Sequence, residues 1–186
     1  MQRQRQLDPE ALGDHIDRLY RAALALCGSP TDAEDLVQET FLNVLRRPRF
    51  LRGDDDIGYL LRVLRNTFIS GARAARRRPA TQPLPDTFEL LADPHASDPL
   101  EHLESAALYG TIAALPPAFR DALIAVDVVG LSYQQAARAL RVREATLTTR
   151  LHRARRRVAR ELGPEGSSVG DGRQGSSVGE HREAQA

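Results

Sequence analysis

The chain has 186 residues, 26 basic and 25 acidic, for a net charge of +1. That length fits one medium domain or two small ones, and the balance excludes a uniformly cationic coat. One cysteine, Cys27, excludes a disulfide framework and a cysteine-based zinc site; no apolar run approaches the roughly 20 residues of a membrane span, and the N-terminal MQRQRQLDPE is not a signal peptide. A cytoplasmic protein without membrane insertion is expected.

Charge is unevenly placed. Arg62 to Arg78 holds six arginines and no acid, Leu140 to Leu162 holds eight arginines against Glu144 and Glu161, and Asp86 to Glu104 holds six acids and no base. Two basic patches around an acidic spacer suggest two nucleic-acid contacts joined by a stretch that avoids duplex. Every basic residue is arginine, whose planar fork suits phosphates and guanine edges; a GC-rich codon supply explains the same bias.

In chain order, a first helix is expected over about Pro9–Cys27, with Leu12, Ile16, Leu19, Tyr20, Ala23 and Cys27 inward. Gly28, Ser29 and Pro30 stop it, and Thr31 with Glu34 reads as a capping box for a second helix that runs to about Arg46. That helix should bury Ala33, Val37, Phe41, Val44 and Leu45, and Arg49–Asp56 should form a loop. A third helix, about Ile57–Arg77, puts Ile57, Leu60, Leu61, Leu64 and Phe68 inward and Tyr59, Arg62, Asn66, Ser70, Arg73 and Arg77 outward. Three helices with one apolar seam make a small bundle.

Five prolines between Pro79 and Pro99 mark an extended acidic linker. A fourth helix is expected over about Leu100–Leu115. A fifth opens at Pro116-Pro117, with Phe119, Leu123 and Val126 inward, and closes at Gly130. Ser132 and Gln135 form a second capping box. The stretch LSYQQAARALRVREATLTTRLHRARRRVAREL then reads as a short helix, a three-residue break and a long helix, a helix-turn-helix whose second helix enters a major groove. At about 100° per residue, Leu147, Leu151, Ala154, Val158 and Leu162 share one stripe, and Thr149, His152, Arg153, Arg156 and Arg160 lie opposite. The Gly/Ser-rich tail from Gly163 has little to bury and is expected to be disordered. The fold class is therefore all-α: helical domains at 9–78 and 100–162, a linker at 79–99 and a tail at 163–186.

DAEDLVQETFLNVLR (Asp32–Arg46) with YLLRVLRN (Tyr59–Asn66) resembles region 2 of the sigma-70 family of RNA polymerase sigma factors, and LPPAFRDALIAVDVVGLSYQQAARALRV with TRLHRARRR (Leu115–Arg157) resembles region 4. With just these two regions and a short linker, the chain is similar to the extracytoplasmic-function (ECF) group. The resemblance implies a promoter-specificity subunit without catalysis or cofactor. Its implied partners are core RNA polymerase (β′ coiled coil and β flap), promoter DNA and an anti-sigma factor.

Residue by residue, the resemblance places Asp35, Leu36, Gln38, Glu39 and Leu42 on the β′ coiled coil. Phe50, Arg52, Arg62, Asn66 and Arg73, and also Arg77, would meet the separated −10 strand. Thr148, Thr149, His152 and Arg153 would approach bases of the −35 duplex, with Arg156, Arg150 and Arg155 on phosphates; Arg150 and Arg155 flank the buried stripe rather than oppose it, which suits a purely structural role equally well. A linker of about 20 residues reaches roughly 65 Å at ~3.3 Å each, which matches promoter elements roughly 55–65 Å apart along the duplex. In its departures, Tyr59 stands where the family often has tryptophan, Thr148 where it is commonly basic, and Arg141 where the turn usually carries glycine. An autonomous helix-turn-helix regulator is the alternative. An enzyme using Asp54-Asp55-Asp56 as a magnesium site, or the Glu34, Asp35 and Glu39 carboxylates, is the weakest reading.

Overall fold

The computed structural model describes residues 4–6, 10–46, 50–52, 55–77 and 99–163. The linker and tail expectations lie outside those residues. Among the described residues the chain is all-α apart from one short ribbon. A 3-10 turn, Glu10–His15, feeds α1 (Ile16–Cys27), then α2 (Pro30–Arg46) and α3 (Asp56–Arg77). After the linker come α4 (Pro99–Ala113), α5 (Pro117–Leu123) running into a π-helical turn (Ile124–Val128), α6 (Tyr133–Leu140) and α7 (Glu144–Leu162).

Local chemistry accounts for the boundaries. Gly28 ends α1 at φ 75°, with its N–H on the Leu24 carbonyl, a left-handed cap that glycine adopts without penalty. α2 begins two residues earlier than a Thr31 cap would place it. Pro30 takes the first helical position, where its missing N–H costs nothing. Ser29 rather than Thr31 therefore faces the open end, its Oγ 3.5 Å from Asp32 N. Asp55 caps α3 by accepting from Gly58 N at 3.2 Å. The expected Ser132/Gln135 capping box is present in both directions, at 3.2 and 3.0 Å.

The stripes largely hold, with corrections at helix ends. Leu12, Leu19, Ala23, Ala33, Val37, Val44, Ile57, Leu60, Leu61, Leu64, Leu123, Leu147, Leu151 and Ala154 are buried. Ile16, Leu45 and Leu162, expected inside, are exposed; each lies at the first or last turn of its helix, where the neighbouring helices no longer cover it. Leu36 and Thr40 fill the inner face of α2 instead, and the Thr40 hydroxyl is satisfied by the Leu36 carbonyl at 2.7 Å. Tyr59, expected outward, is half-buried against the core. The loop after α2 is also not wholly irregular. Phe50–Arg52 forms β2, paired antiparallel with β1 (Gln4–Gln6), a long-range pairing that three polar residues at the N-terminus give no period to announce.

Instead of standing apart, the two helical sets touch, and their buried side chains form one continuous cluster. α1 lies against α4, and α3 lies against α6. A Cβ at Gly28 would sit 3.3 Å from the Ala113 Cβ, so the absent side chain also admits this close approach.

Candidate nucleic-acid interface

α7 separates its two faces as its sequence dictates. Leu147, Leu151 and Ala154 are buried, while Thr148, Thr149, His152, Arg153, Arg156 and Arg160 are exposed. Thr148 and Thr149 each donate a hydroxyl hydrogen bond back to their own helix, to the Glu144 and Ala145 carbonyls at 2.9 and 3.0 Å. This fixes both rotamers and leaves oxygen lone pairs and methyl groups facing outward. A surface of two threonines, one imidazole and free guanidinium forks matches what base edges and phosphates require.

Arg155 does not join that surface. Its Nε and Nη2 donate to the two carboxylate oxygens of Asp127 at 2.9 and 2.6 Å. The Asp127 hydrogen bond is the main cause that pushes the Arg155 guanidinium further above its ordinary range, with Tyr133 adding to it. Asp127 belongs to the π-helical turn and Tyr133 opens α6, so Arg155 ties the recognition helix to both elements before it. That ion pair gives Arg155 a bracing contact within the chain. Arg150 is half-buried beside the apolar stripe.

The turn between α6 and α7 departs from both of its usual residue choices. Arg141 is left-handed at φ 57°, ψ 45°, costing on the order of 1 kcal/mol relative to glycine. Arg143 occupies the N-cap of α7 without a side-chain cap bond, forgoing about 1 kcal/mol that serine, threonine, asparagine or aspartate would contribute.

α3 is more constrained. Asn66, Ser70 and Arg73 are exposed, and Arg62 is half-buried with its Nε unpaired among the described residues. Arg65 donates from Nε to Asp121 Oδ2 at 2.5 Å, and the Asp121 side chain keeps only 8% exposure. Phe68 lies under the Arg120 guanidinium, 5.1 Å from its ring centroid. Arg120 also donates to the Ala113 carbonyl at 2.9 Å and the Leu26 carbonyl at 3.4 Å. Its burial lowers its affinity for a proton, partly offset by Asp121 and Cys27. Arg18 of α1 donates to the Val129 carbonyl through Nε at 2.9 Å and through Nη2. These groups hold the two helical sets together, and sequence reasoning singled out only Phe68, as a core residue. A carboxylate on the inward side of α5, beside Leu123, was the signal available.

On α2, Asp35, Gln38 and Glu39 are exposed, with Leu42 at 49% and Leu45 at 50%. Leu36 is a correction: at 7% it belongs to the core because it lies on the inner side of the helix, one turn before Thr40. The side chains of Phe50, Arg52 and Arg77 lie outside the described residues, as does Asp54. Asp55 accepts the cap bond of α3 and Asp56 is buried. Glu34 is exposed like Asp35 and Glu39. Burial raises the Cys27 thiol from 9.0 to about 11, with Asp32 adding to the shift, which disfavours the thiolate.

The family description Sigma-70 region 2 matches residues 12–78, and Sigma-70, region 4 matches 105–158. The chain is 34% identical to ECF RNA polymerase sigma factor SigE of Mycolicibacterium smegmatis over 86% of its own length and 63% of that protein. It is 33% identical to ECF RNA polymerase sigma factor SigM of Mycobacterium tuberculosis over 80% of its length and 74% of that relative. It is also 33% identical to ECF RNA polymerase sigma factor EcfG of Rhodopseudomonas palustris over 82% and 83%. Among solved structures, the sigma factor RpoE from Bartonella quintana, crystallised with the anti-sigma factor NepR, superposes with TM-score 0.62 at 23% identity, covering 85% of this chain and all but 1% of that one (99%). CnrH in complex with the cytosolic domain of CnrY gives 0.57 at 22%, covering 86% and 88%. The chain belongs to the ECF RNA polymerase sigma factors.

Proposed function

We propose that this chain is a promoter-specificity subunit acting in the cytoplasm, one that borrows the active centre of core RNA polymerase and performs no catalysis itself. The carrying observation is the undivided outward face of α7, where Thr148, Thr149, His152, Arg153 and Arg156 are all exposed above a buried Leu147, Leu151 and Ala154. In this reading α7 enters the major groove of the −35 element, with Arg156 on the phosphate backbone. Arg62, Asn66 and Arg73 of α3, with Phe50 and Arg52, take the −10 strand. The module boundaries are 9–78 and 100–162, with the linker between them and the tail after 163. Asp35, Gln38, Glu39 and Leu42 dock on the β′ coiled coil, and acids around an apolar anchor suit a basic partner. The β flap and an anti-sigma factor complete the partner set.

In the folded chain the two helical sets share a core, whereas promoter elements roughly 55–65 Å apart require them to separate. The contact through Arg65, Asp121 and Arg120 therefore opens when the chain is loaded on polymerase. The test is reconstitution: the purified chain should let core polymerase initiate from DNA that the holoenzyme selects out of random sequence, while the free chain holds duplex weakly. A polymerase-free dimer that footprints DNA strongly would instead establish an autonomous regulator.

A further inference from the structure

Arg141 and Arg143 bracket the turn that leads into α7. Both are exposed, and neither side chain has a hydrogen bond or ion pair among the described residues. The fold does not ask for them. Glycine would suit the left-handed position at 141 better, and a small hydroxyl or amide side chain would suit position 143. A codon bias toward G and C explains arginine over lysine, but it supplies glycine equally well. Arginine thus stands at two exposed positions where it weakens the fold, two apart in sequence and immediately before the helix that exposes Thr148 and Thr149.

Resting on the reading of α7 as a duplex reader, we propose that the turn is a phosphate clamp: Arg141 and Arg143 grip the DNA backbone at the edge of the −35 element and set the register in which α7 enters the groove. Local stability is given up for backbone contacts, a recurrent trade at functional positions. Two guanidinium forks from a short turn can each reach a phosphate without entering the base stack.

The experiment uses holoenzyme and promoter DNA selected from random sequence by that holoenzyme. Arg141→Gly, Arg141→Asn and Arg143→Ser are compared with the native chain for melting temperature and for the dependence of binding on salt. Each change should raise the melting temperature by about 2–4 °C. Each should also shrink the slope of log K against log salt by about 0.9, with affinity falling alike on cognate and altered −35 sequences. Arg141→Lys should keep the native slope without the gain in melting temperature. Variants that melt higher yet bind with native affinity and slope would overturn the clamp. His152→Ala separates the two claims: if that change also leaves −35 binding untouched, duplex reading by α7 falls, and the clamp with it.

Discussion

α3 and α7 are both long, arginine-rich helices, yet the fold treats their charges differently. On α7 the arginines opposite the apolar stripe remain exposed; Arg155, at the margin of that stripe, is bound to Asp127, and Arg160 makes only an exposed contact with the adjacent Glu161. On α3, Arg65 is spent on Asp121, Phe68 is covered by Arg120, and Arg62 is half-buried, while Asn66, Ser70 and Arg73 are exposed. One cationic face is ready to use, and the other is partly occupied by the chain's own second half. Counting arginines along a helix therefore overstates what it offers a ligand. The informative quantity is which guanidinium groups the protein leaves unpaired.

Several changes would break or sharpen this contrast. The largest is expected for Arg65→Ala, which strands a buried Asp121. Because the Arg65 side chain keeps 34% exposure, the loss is set at about 2 kcal/mol, below that of a fully buried pair. Urea unfolding measures it, and the exchanged pair Arg65→Asp with Asp121→Arg should recover most of it. If α7 is the free reader, His152→Ala in holoenzyme should lower discrimination at one −35 position by about 1–2 kcal/mol, seen in competition between cognate and altered promoters. Ser132→Ala removes the capping box of α6 and should cost about 1 kcal/mol, a drop of roughly 2–4 °C in Tm.

The last effect is absent at neutral pH. Cys27 has its pKa raised from 9.0 to about 11 by burial. The folded chain therefore keeps a proton that the unfolded chain releases above pH 9, and stability falls as pH rises from 9 toward 11 and is flat beyond. Cys27→Ala should erase that dependence in unfolding measurements at pH 8 and pH 10.5. Iodoacetamide should modify the native thiol slowly, and faster in Arg65→Ala if the neighbouring contact loosens.

Much of this molecule could be read in advance, for definite reasons. α7 was legible because a 3.6-residue period of Leu147, Leu151 and Ala154 and its polar complement are local properties. The Ser132/Gln135 box is local as well. Thr31 was misplaced as a cap because Pro30 could either end one helix or open the next, and only the chain geometry decides. Leu36 comes to the docking face by family resemblance alone, and its burial follows from the packing of α2, since an acidic helix with leucines on several sides has no unique inward direction until its neighbours are known. The contact between the helical sets was not legible at all: Arg18 with Val129, and Arg65 with Asp121, are pairs separated by 111 and 56 positions. No periodicity connects residues that far apart.

The π-helical turn carries a consequence of its own. Between Ile124 and Leu131 the backbone bonds span five, four and six residues in succession, from Val129, Gly130 and Leu131. Winding of this kind accommodates one residue more than an α-helix of equal rise. Asp127 and the Val129 carbonyl sit within that surplus. Deleting a single residue here would rewind the segment and swing everything downstream by about 100°, pulling Asp127 off Arg155 and Val129 off Arg18 together. The length of this turn works like the tooth count of a gear, meshing α6 and α7 with the rest of the chain. Families of such chains should tolerate substitutions here far better than insertions or deletions.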